Sequence, residues 1–268
     1  MVKLHMLKSI KDDIGMSFII ESEGEITVID GGFDYDAHLL SENISKLGGK
    51  VHTWIITHAH EDHIDAFIEM MRHGDYGVKV ERIICKVPPY EKMNKFSPSF
   101  SDRCDEEIAK ICKRCGIEKI TPKDGEVFQM KGYSLKFLSV PDFEICDDFL
   151  NNTSLVFRVD TPQNRIMFLG DLGLEGGRQL LHKNDESELA SDYVQMAHHG
   201  QDGVGKEVYD AIKPSYCLWP TPTWLWDNIG EGGYDTGKFF TVIVRGWMSG
   251  YGIKKHYTNR ECPVTIDI

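Results

Sequence analysis

Thr57-His58-Ala59-His60-Glu61-Asp62-His63-Ile64-Asp65-Ala66 follows directly on the apolar run Trp54-Ile55-Ile56. These ten residues hold three histidines and three acids, and the run before them reads as the end of a buried strand. Titratable groups at such a place are costly to bury unless something pairs with them. His58 and His60, two apart on an extended segment, project to one side and can hold one metal together. Asp62 and His63 fall where the chain turns into a helix, displaced far enough to reach a second metal roughly 3.5 to 4 Å away. Imidazole mixed with carboxylate suits zinc first, with manganese or iron as alternatives, rather than calcium or magnesium.

The plainer reading is a histidine-rich surface turn. Two further stretches with the same placing weigh against it. Phe168-Leu169-Gly170-Asp171 ends an apolar strand with an acid, and Met196-Ala197-His198-His199-Gly200 ends another with two histidines. Each is weak alone, since Gly-Asp is a common turn. Together they supply the ligands that the first stretch lacks.

The chain has 268 residues, enough to bury a sizeable core in one large α/β domain. No apolar run approaches the roughly 18 to 20 residues of a membrane span. The start, MVKLHMLKSIKDD, lacks the apolar stretch of a secretory signal, so a cytoplasmic protein with no membrane partner is expected. Seven cysteines, at 85, 104, 112, 115, 146, 217 and 262, are odd in number and irregular in spacing, which fits thiols in a reducing compartment. Cys112 and Cys115 form a CxxC without a second pair and read as packing thiols. The formal net charge of -12 disfavours broad binding to duplex nucleic acid. It leaves room for an anionic substrate in a cleft where bound metal dominates the field.

Strands are expected at Ser17 to Ile20, Glu25 to Asp30, Trp54 to Thr57, Val80 to Val87, Leu155 to Val159, Arg165 to Leu169, Tyr193 to Ala197, Tyr216 to Trp219 and Thr241 to Val244. Helices are expected at Ala37 to Leu47, Asp62 to His73, Gly177 to His182 and Lys206 to Ile212, with another starting at Ser101 or Asp102, where the side chain can cap. Two β-rich halves without a short-period repeat suggest a sheet-on-sheet core flanked by helices. The polar, Pro- and Phe-containing stretch at 88–118 reads as an insertion near a cleft in a single domain spanning 1–268.

In these motifs the chain resembles the metallo-β-lactamase superfamily, whose HxHxDH pattern matches His58, His60, Asp62 and His63. The resemblance covers most of the chain and implies an α/β fold, the four-layer αββα sandwich of the metallo-β-lactamase type. It makes Asp171 the residue that bridges two metals, and Asp30, in Val28-Ile29-Asp30-Gly31-Gly32, the residue that orients the ligand loop from behind. It also favours His199 as ligand to the second metal and His198 as a contact either to substrate or to the ligands from behind, leaving the reverse assignment open. The superfamily usually places a third histidine for the first metal upstream of the bridging acid. Here Asn151 or Asn152 occupies that region, just outside the expected ligand set.

More narrowly, Asn151-Asn152-Thr153-Ser154-Leu155-Val156, Phe168-Leu169-Gly170-Asp171, His198-His199-Gly200, His256-Tyr257-Thr258 and Val264-Thr265-Ile266 resemble the branch holding the hydrolase domain of the DNA-uptake protein ComEC and phosphorylcholine esterases. That branch tends to follow His-His-Gly with Ser-rich sequence, whereas this chain continues Gln201-Asp202-Gly203-Val204-Gly205. The expectation is a metal-dependent phosphodiesterase acting through a metal-bound hydroxide on two divalent ions, with Asp62, Asp171 and His198 as catalytic groups. Its substrate would be a small molecule or another phosphodiester. Acyl hydrolysis of a lactone, thioester or β-lactam would use the same metal core with a different pocket. A binding protein without turnover would keep metal and hydrolyse no ester.

The segment Trp219-Pro220-Thr221-Pro222-Thr223-Trp224-Leu225-Trp226-Asp227-Asn228 admits two readings. One is a rigid wall for an aromatic or choline-like group. The other, weighted slightly higher, is a stiff loop packed on the core. Tyr90, Phe96 and Phe100 share this ambiguity.

Overall fold

Apolar strand residues alternate between two interiors here, which fixes the layering. The structure, a computed structural model, describes residues 1–100 and 103–268. Its strands are β1 (Val2–Met6), β2 (Ser17–Ser22), β3 (Glu25–Asp30), β4 (Lys50–Val51), β5 (Thr53–Ile55), β6 (Lys79–Val80), β7 (Arg82–Ile84), β8 (Glu118–Ile120), β9 (Val127–Gln129), β10 (Ser134–Ser139), β11 (Val156–Asp160), β12 (Arg165–Phe168), β13 (Tyr193–Gln195), β14 (Tyr216–Trp219), β15 (Lys255–Thr258) and β16 (Val264–Asp267). One seven-stranded sheet has the order β16-β1-β2-β3-β5-β7-β8 and the other β15-β14-β13-β12-β11-β10-β9, while β4 and β6 form a small pair. Each large sheet is antiparallel on one side and parallel on the other, the change coming at β3 and at β12.

The helices are α1 (Ala37–Lys46), α2 (Glu61–His73), α3 (Tyr90–Phe96), α4 (Cys104–Cys115), α5 (Leu174–Lys183), α6 (Glu186–Leu189), α7 (Lys206–Ile212), α8 (Thr223–Asp227) and α9 (Thr241–Ser249). In β5, Trp54 faces a cluster with Leu40, Phe67 and Ile108 from α1, α2 and α4, whereas Ile55 faces the other sheet. In β12, Phe168 meets Phe18 across the sheets at 5.2 Å, whereas Met167 faces Leu180, Val208 and Val244 from α5, α7 and α9. Three apolar clusters therefore separate four layers, helix, sheet, sheet, helix, as expected for an αββα sandwich. Each fully buried Phe or Leu contributes roughly 1.5 to 3 kcal/mol.

One expected element is of the wrong type. Thr241 to Val244 is the first turn of helix α9. Its β-branched residues favour a strand locally, but Thr241, Val244 and Met248 fall at helical spacing and bury one stripe against the third cluster. Tertiary burial outweighs a preference worth tenths of a kcal/mol per residue. The expected strand from Val80 to Val87 is two short ones, β6 and β7. Helix α5 starts at Leu174 rather than Gly177. The expected helix start at Ser101 or Asp102 lies outside the described residues; α4 itself runs from Cys104 and carries Asp105, Glu106 and Glu107 in its first turn, where the helix dipole favours acids. Met93, Ile108 and Ile111 of the 88–118 stretch pack into the first cluster.

Among the described residues, no helix is long and apolar enough to cross a membrane. Among the described residues none of the seven cysteines is in a disulfide; Cys112 is buried in the first cluster and Cys115 is exposed.

Candidate metal centre

The parallel strands end at one rim, and the titratable residues singled out by sequence lie just past those ends. Asp30 closes β3, His58 and His60 follow β5, Asp171 follows β12, and His198 and His199 follow β13. Asp62 and His63 occupy the first turn of α2, whose N-terminal dipole favours the carboxylate.

Two groups form. Asp62, His63, Asp171 and His199 offer ligand atoms within 4.8 Å of one another, as do His58, His60 and Asp171. Asp171 belongs to both. His63 Nε2 lies 3.3 Å from Asp62 Oδ2 and 3.2 Å from Asp171 Oδ2. His199 Nε2 lies 2.9 and 3.1 Å from the same two oxygens. In the other group, His58 Nε2 stands 2.9 Å from His60 Nδ1 and 3.9 Å from Asp171 Oδ2.

Backbone and side-chain partners behind these groups decide which ring nitrogen faces inward. His63 Nδ1 donates to Asp30 Oδ2 at 2.7 Å, and His199 Nδ1 donates to the Pro220 carbonyl at 3.1 Å. A carboxylate and a carbonyl can only accept, so Nδ1 carries the proton and Nε2 is left for the centre. Asp30 also accepts from Thr57 N and Thr57 Oγ1, both at 2.7 Å, which pins the chain just before His58. Asp171 is set by a tight turn with Gly170 at φ +56, its amide donating to Ser154 Oγ. Buried Gln195 accepts from Leu169 N and donates to Gly170 O, tying the Asp171 turn to the strand that leads to the histidines.

Charge points the same way. Burial lowers the affinity of His58 for a proton, and neighbouring His63 lowers it further, so His58 is held well below its ordinary range. Burial also lowers His60. Both offer lone pairs. Burial opposes charge on His63 and His199 too, but Asp171 and Asp62 outweigh it, with Asp30 adding to the effect on His63; His63 is held well above its ordinary value and His199 is pushed up to about 9. Against the same burial, the imidazoles hold Asp62 and Asp171 below the usual carboxylate range. Such a site calls for cations. Asp62 Oδ2, Asp171 Oδ1, His63 Nε2 and His199 Nε2 are buried, and although the imidazole nitrogens lie at ion-pair distance from the carboxylates, none of the four atoms has a partner in hydrogen-bond geometry, which suits atoms that would share a bound cation. The donor set of imidazole and carboxylate fits a pair of divalent transition metals.

His198 belongs to neither group. It is partly exposed, its ring centroid 6.1 Å from that of His199, with Nδ1 3.5 Å from Asp202 Oδ1. His198 and His199 both adopt left-handed backbone, at φ 50 and 55. Strain of this kind, about 1 to 3 kcal/mol per residue, persists where surrounding structure enforces it. Asn152 is a brace: its Oδ1 accepts from Gly176 N near the start of α5 and its Nδ2 donates to Asp147 O. Asn151 Nδ2 donates to Asp148 Oδ1, and its own Oδ1 is buried without a partner.

The Trp-Pro segment divides. Trp219 is fully buried and meets Trp226 edge-on at 5.1 Å, so these two serve the core. Pro220 and Thr221 hold His199, the latter by donating Oγ1 to its carbonyl. Trp224 alone of the three is exposed, at 44%, with Phe239 against it at 5.3 Å. Phe96 packs on Phe149 in the first cluster, and Arg103 lies over the Tyr90 ring. The sequence reading missed Thr57, Ser154, Gln195 and Thr221, whose role is to hold ligands. Gln195 carried a signal, a lone amide in the apolar run Tyr193-Val194-Gln195-Met196-Ala197.

The model of the metallo-beta-lactamase superfamily matches residues 10–216 of the chain. Among solved structures, YhfI from Bacillus subtilis, described as a metallo-beta-lactamase fold protein, is 10% identical with 100% of both chains covered and a TM-score of 0.59. A metallo hydrolase from the hyperthermophilic archaeon Ignicoccus hospitalis is 17% identical, covering 100% of this chain and 99% of that one, with a TM-score of 0.54. A diphosphatase from the PhnP family is 11% identical, covering 100% and 98%, with a TM-score of 0.52. At these identities the likeness is one of fold. No curated protein matches the sequence.

Proposed function

The chain belongs to the metallo-β-lactamase superfamily, and from that premise we propose that it is a metal-dependent phosphodiesterase of the ComEC-like and phosphorylcholine-esterase-like kind. The observation that carries this reading is the pair of donor groups sharing Asp171, with His198 standing beside them and outside both. His58 and His60 would hold one ion, Asp62, His63 and His199 the other, and Asp171 both. Two divalent ions supply a nucleophilic water of lowered pKa and positive charge for the phosphoryl oxygens. Zinc is the first candidate by donor type, with manganese or iron next.

The protein's own groups do the rest. Asp30 and the Pro220 carbonyl keep the ligand rings in one tautomer, so no reorganisation is needed as charge develops. Burial of the donors keeps bulk water from screening them. His198, whose Nδ1 lies 3.5 Å from Asp202 Oδ1, would give a proton to the leaving oxygen. A diphosphatase among the structures sharing the fold supports a phosphoryl substrate. The seven cysteines, none of them in a disulfide among the described residues, fit a reducing compartment.

The test is hydrolysis of bis(p-nitrophenyl) phosphate by metal-stripped protein reconstituted separately with zinc and manganese. Wild type should turn over only with metal, Asp171→Asn should lose turnover, and His198→Gln should lower kcat while keeping metal content. Tightly bound metal with no phosphodiester turnover would sink the reading and move the search to lactones and thioesters.

A further inference from the structure

We propose that Asn151, through Oδ1, is a ligand of the metal held by His58 and His60. This rests on the metal-centre reading and is independent of which ester is hydrolysed. Among the described His, Cys, Asp and Glu residues the two donor groups are unequal: one has Asp62, His63 and His199 besides the shared Asp171, the other His58 and His60 besides it. A divalent transition metal takes four or more ligands. The smaller group is therefore short of protein donors, and an unpaired acceptor lies in the segment laced to it.

Asn151 is only 5% exposed and its Oδ1 has no hydrogen-bond partner. Its Nδ2 is committed to Asp148 Oδ1 at 2.9 Å, which fixes the amide so that the oxygen is the free end. Two ties bind this segment to the centre. Ser154 donates its amide to Asn151 O and accepts the Asp171 amide on Oγ. Leu155 N donates to Thr57 O, next to His58. Asp148 itself lies within electrostatic reach of His198 and Asp171. Asn152 is equally buried, but both ends of its amide are taken, by Gly176 N and Asp147 O. Of the two neighbouring amides, only Asn151 has an oxygen to give.

A chemical consequence follows. An amide oxygen is neutral and harder than imidazole, so the smaller group should hold zinc less tightly than the larger one and discriminate less against manganese. The two ions would load in separate steps.

Titration of metal-stripped wild type, Asn151→Ala, Asn151→His and Asn152→Ala with zinc and with manganese, followed by calorimetry and by cobalt absorption spectra, tests this. Wild type should bind in two steps. Asn151→Ala should weaken the weaker step by on the order of tenfold or more and leave the tighter step alone. Asn151→His should strengthen that step for zinc and change the cobalt spectrum, while Asn152→Ala should keep both steps and melt at a lower temperature. Unchanged isotherms for Asn151→Ala would overturn the proposal and make its oxygen the partner of a buried water. Should Asn151→Ala fail to fold, Asn151→His with both zinc steps and the cobalt spectrum unaltered overturns it instead. Turnover is not read, so a failed phosphodiesterase assay leaves this result standing.

Discussion

His63 Nδ1 and Asp30 Oδ2 lie 2.7 Å apart with no exposure of either side chain to solvent. Asp30 reaches this position from the left-handed backbone region, at φ 53. The same carboxylate binds Thr57 twice, so one residue at the end of β3 sets both a ligand ring and the entry to the His58 loop. Asp30→Asn keeps the shape and removes the charge that holds the His63 ring. Metal affinity should fall on the order of 10- to 100-fold in a zinc titration. Unaltered affinity would mean that Asp30 serves folding only.

Gly200 links the ligand His199 to the core. A Cβ there would lie 2.5 Å from the buried Trp219 ring, and the residue sits at φ +83. Gly200→Ala should destabilise the protein by roughly 1 to 3 kcal/mol from overpacking, with backbone strain added. It should also weaken the tighter metal-binding step, because His199 is the adjacent residue. Thermal melts with and without zinc separate the two effects, and a variant that melts like wild type refutes the close packing.

Above about pH 6.5, where His58 and His60 are neutral whether folded or unfolded, the metal-free protein should lose stability as pH rises. His199 is pushed up to about 9 in the folded state, with burial opposing and Asp171 raising it, against an unfolded value near 6.5. Its protonated form thus favours folding in full below about 6.5, and that contribution, on the order of a few kcal/mol, fades as pH climbs to about 9. His63 shifts in the same direction. Metal binding displaces these protons, so the zinc-loaded protein should instead weaken towards acid pH. Melting temperatures from pH 6 to 9.5, with chelator and with zinc, check the opposite slopes. A flat profile in chelator would refute the charge assignment.

Trp219 and Trp224 should respond in opposite ways to truncation. Trp219→Ala empties a fully buried site and should cost about 3 to 5 kcal/mol. Trp224→Ala removes an exposed ring and should stay within about 0.5 kcal/mol of wild type. On an ester with an aromatic leaving group, Trp224→Ala should raise KM without changing kcat if the ring supports bound substrate. Identical KM on aromatic and aliphatic esters would dismiss that role.

Much of this was legible from residue order. His58, His60, Asp62 and His63 are local, and Gly-Asp and His-His-Gly each end an apolar strand, so spacing and context alone marked all of them. In the parallel regions β3, β5, β7, β12, β13 and β14 were legible for the same reason, being short apolar runs with turn residues after them, whereas β8 and β15, which carry Glu, Lys and His, were not. Strands β1, β9 and β10 were not, because their sequences carry Lys, His or Gln on faces that only the neighbouring strand makes strand-like.

What residue order alone determined is therefore the chemistry of the ligands and the layered α/β class, since ligand type, helical spacing and strand alternation are local properties. Tertiary structure decided the rest. It divided the ligands into two groups sharing Asp171, left His198 outside both, turned Thr241 to Val244 into helix, and separated Asn151 from Asn152 by their hydrogen bonds. Each of these depends on partners distant in sequence, such as Pro220 for His199 and Gly176 for Asn152, and the lateral pairing of β13 with β14 and of β11 with β12 in the second sheet brings such partners within a hydrogen-bond length.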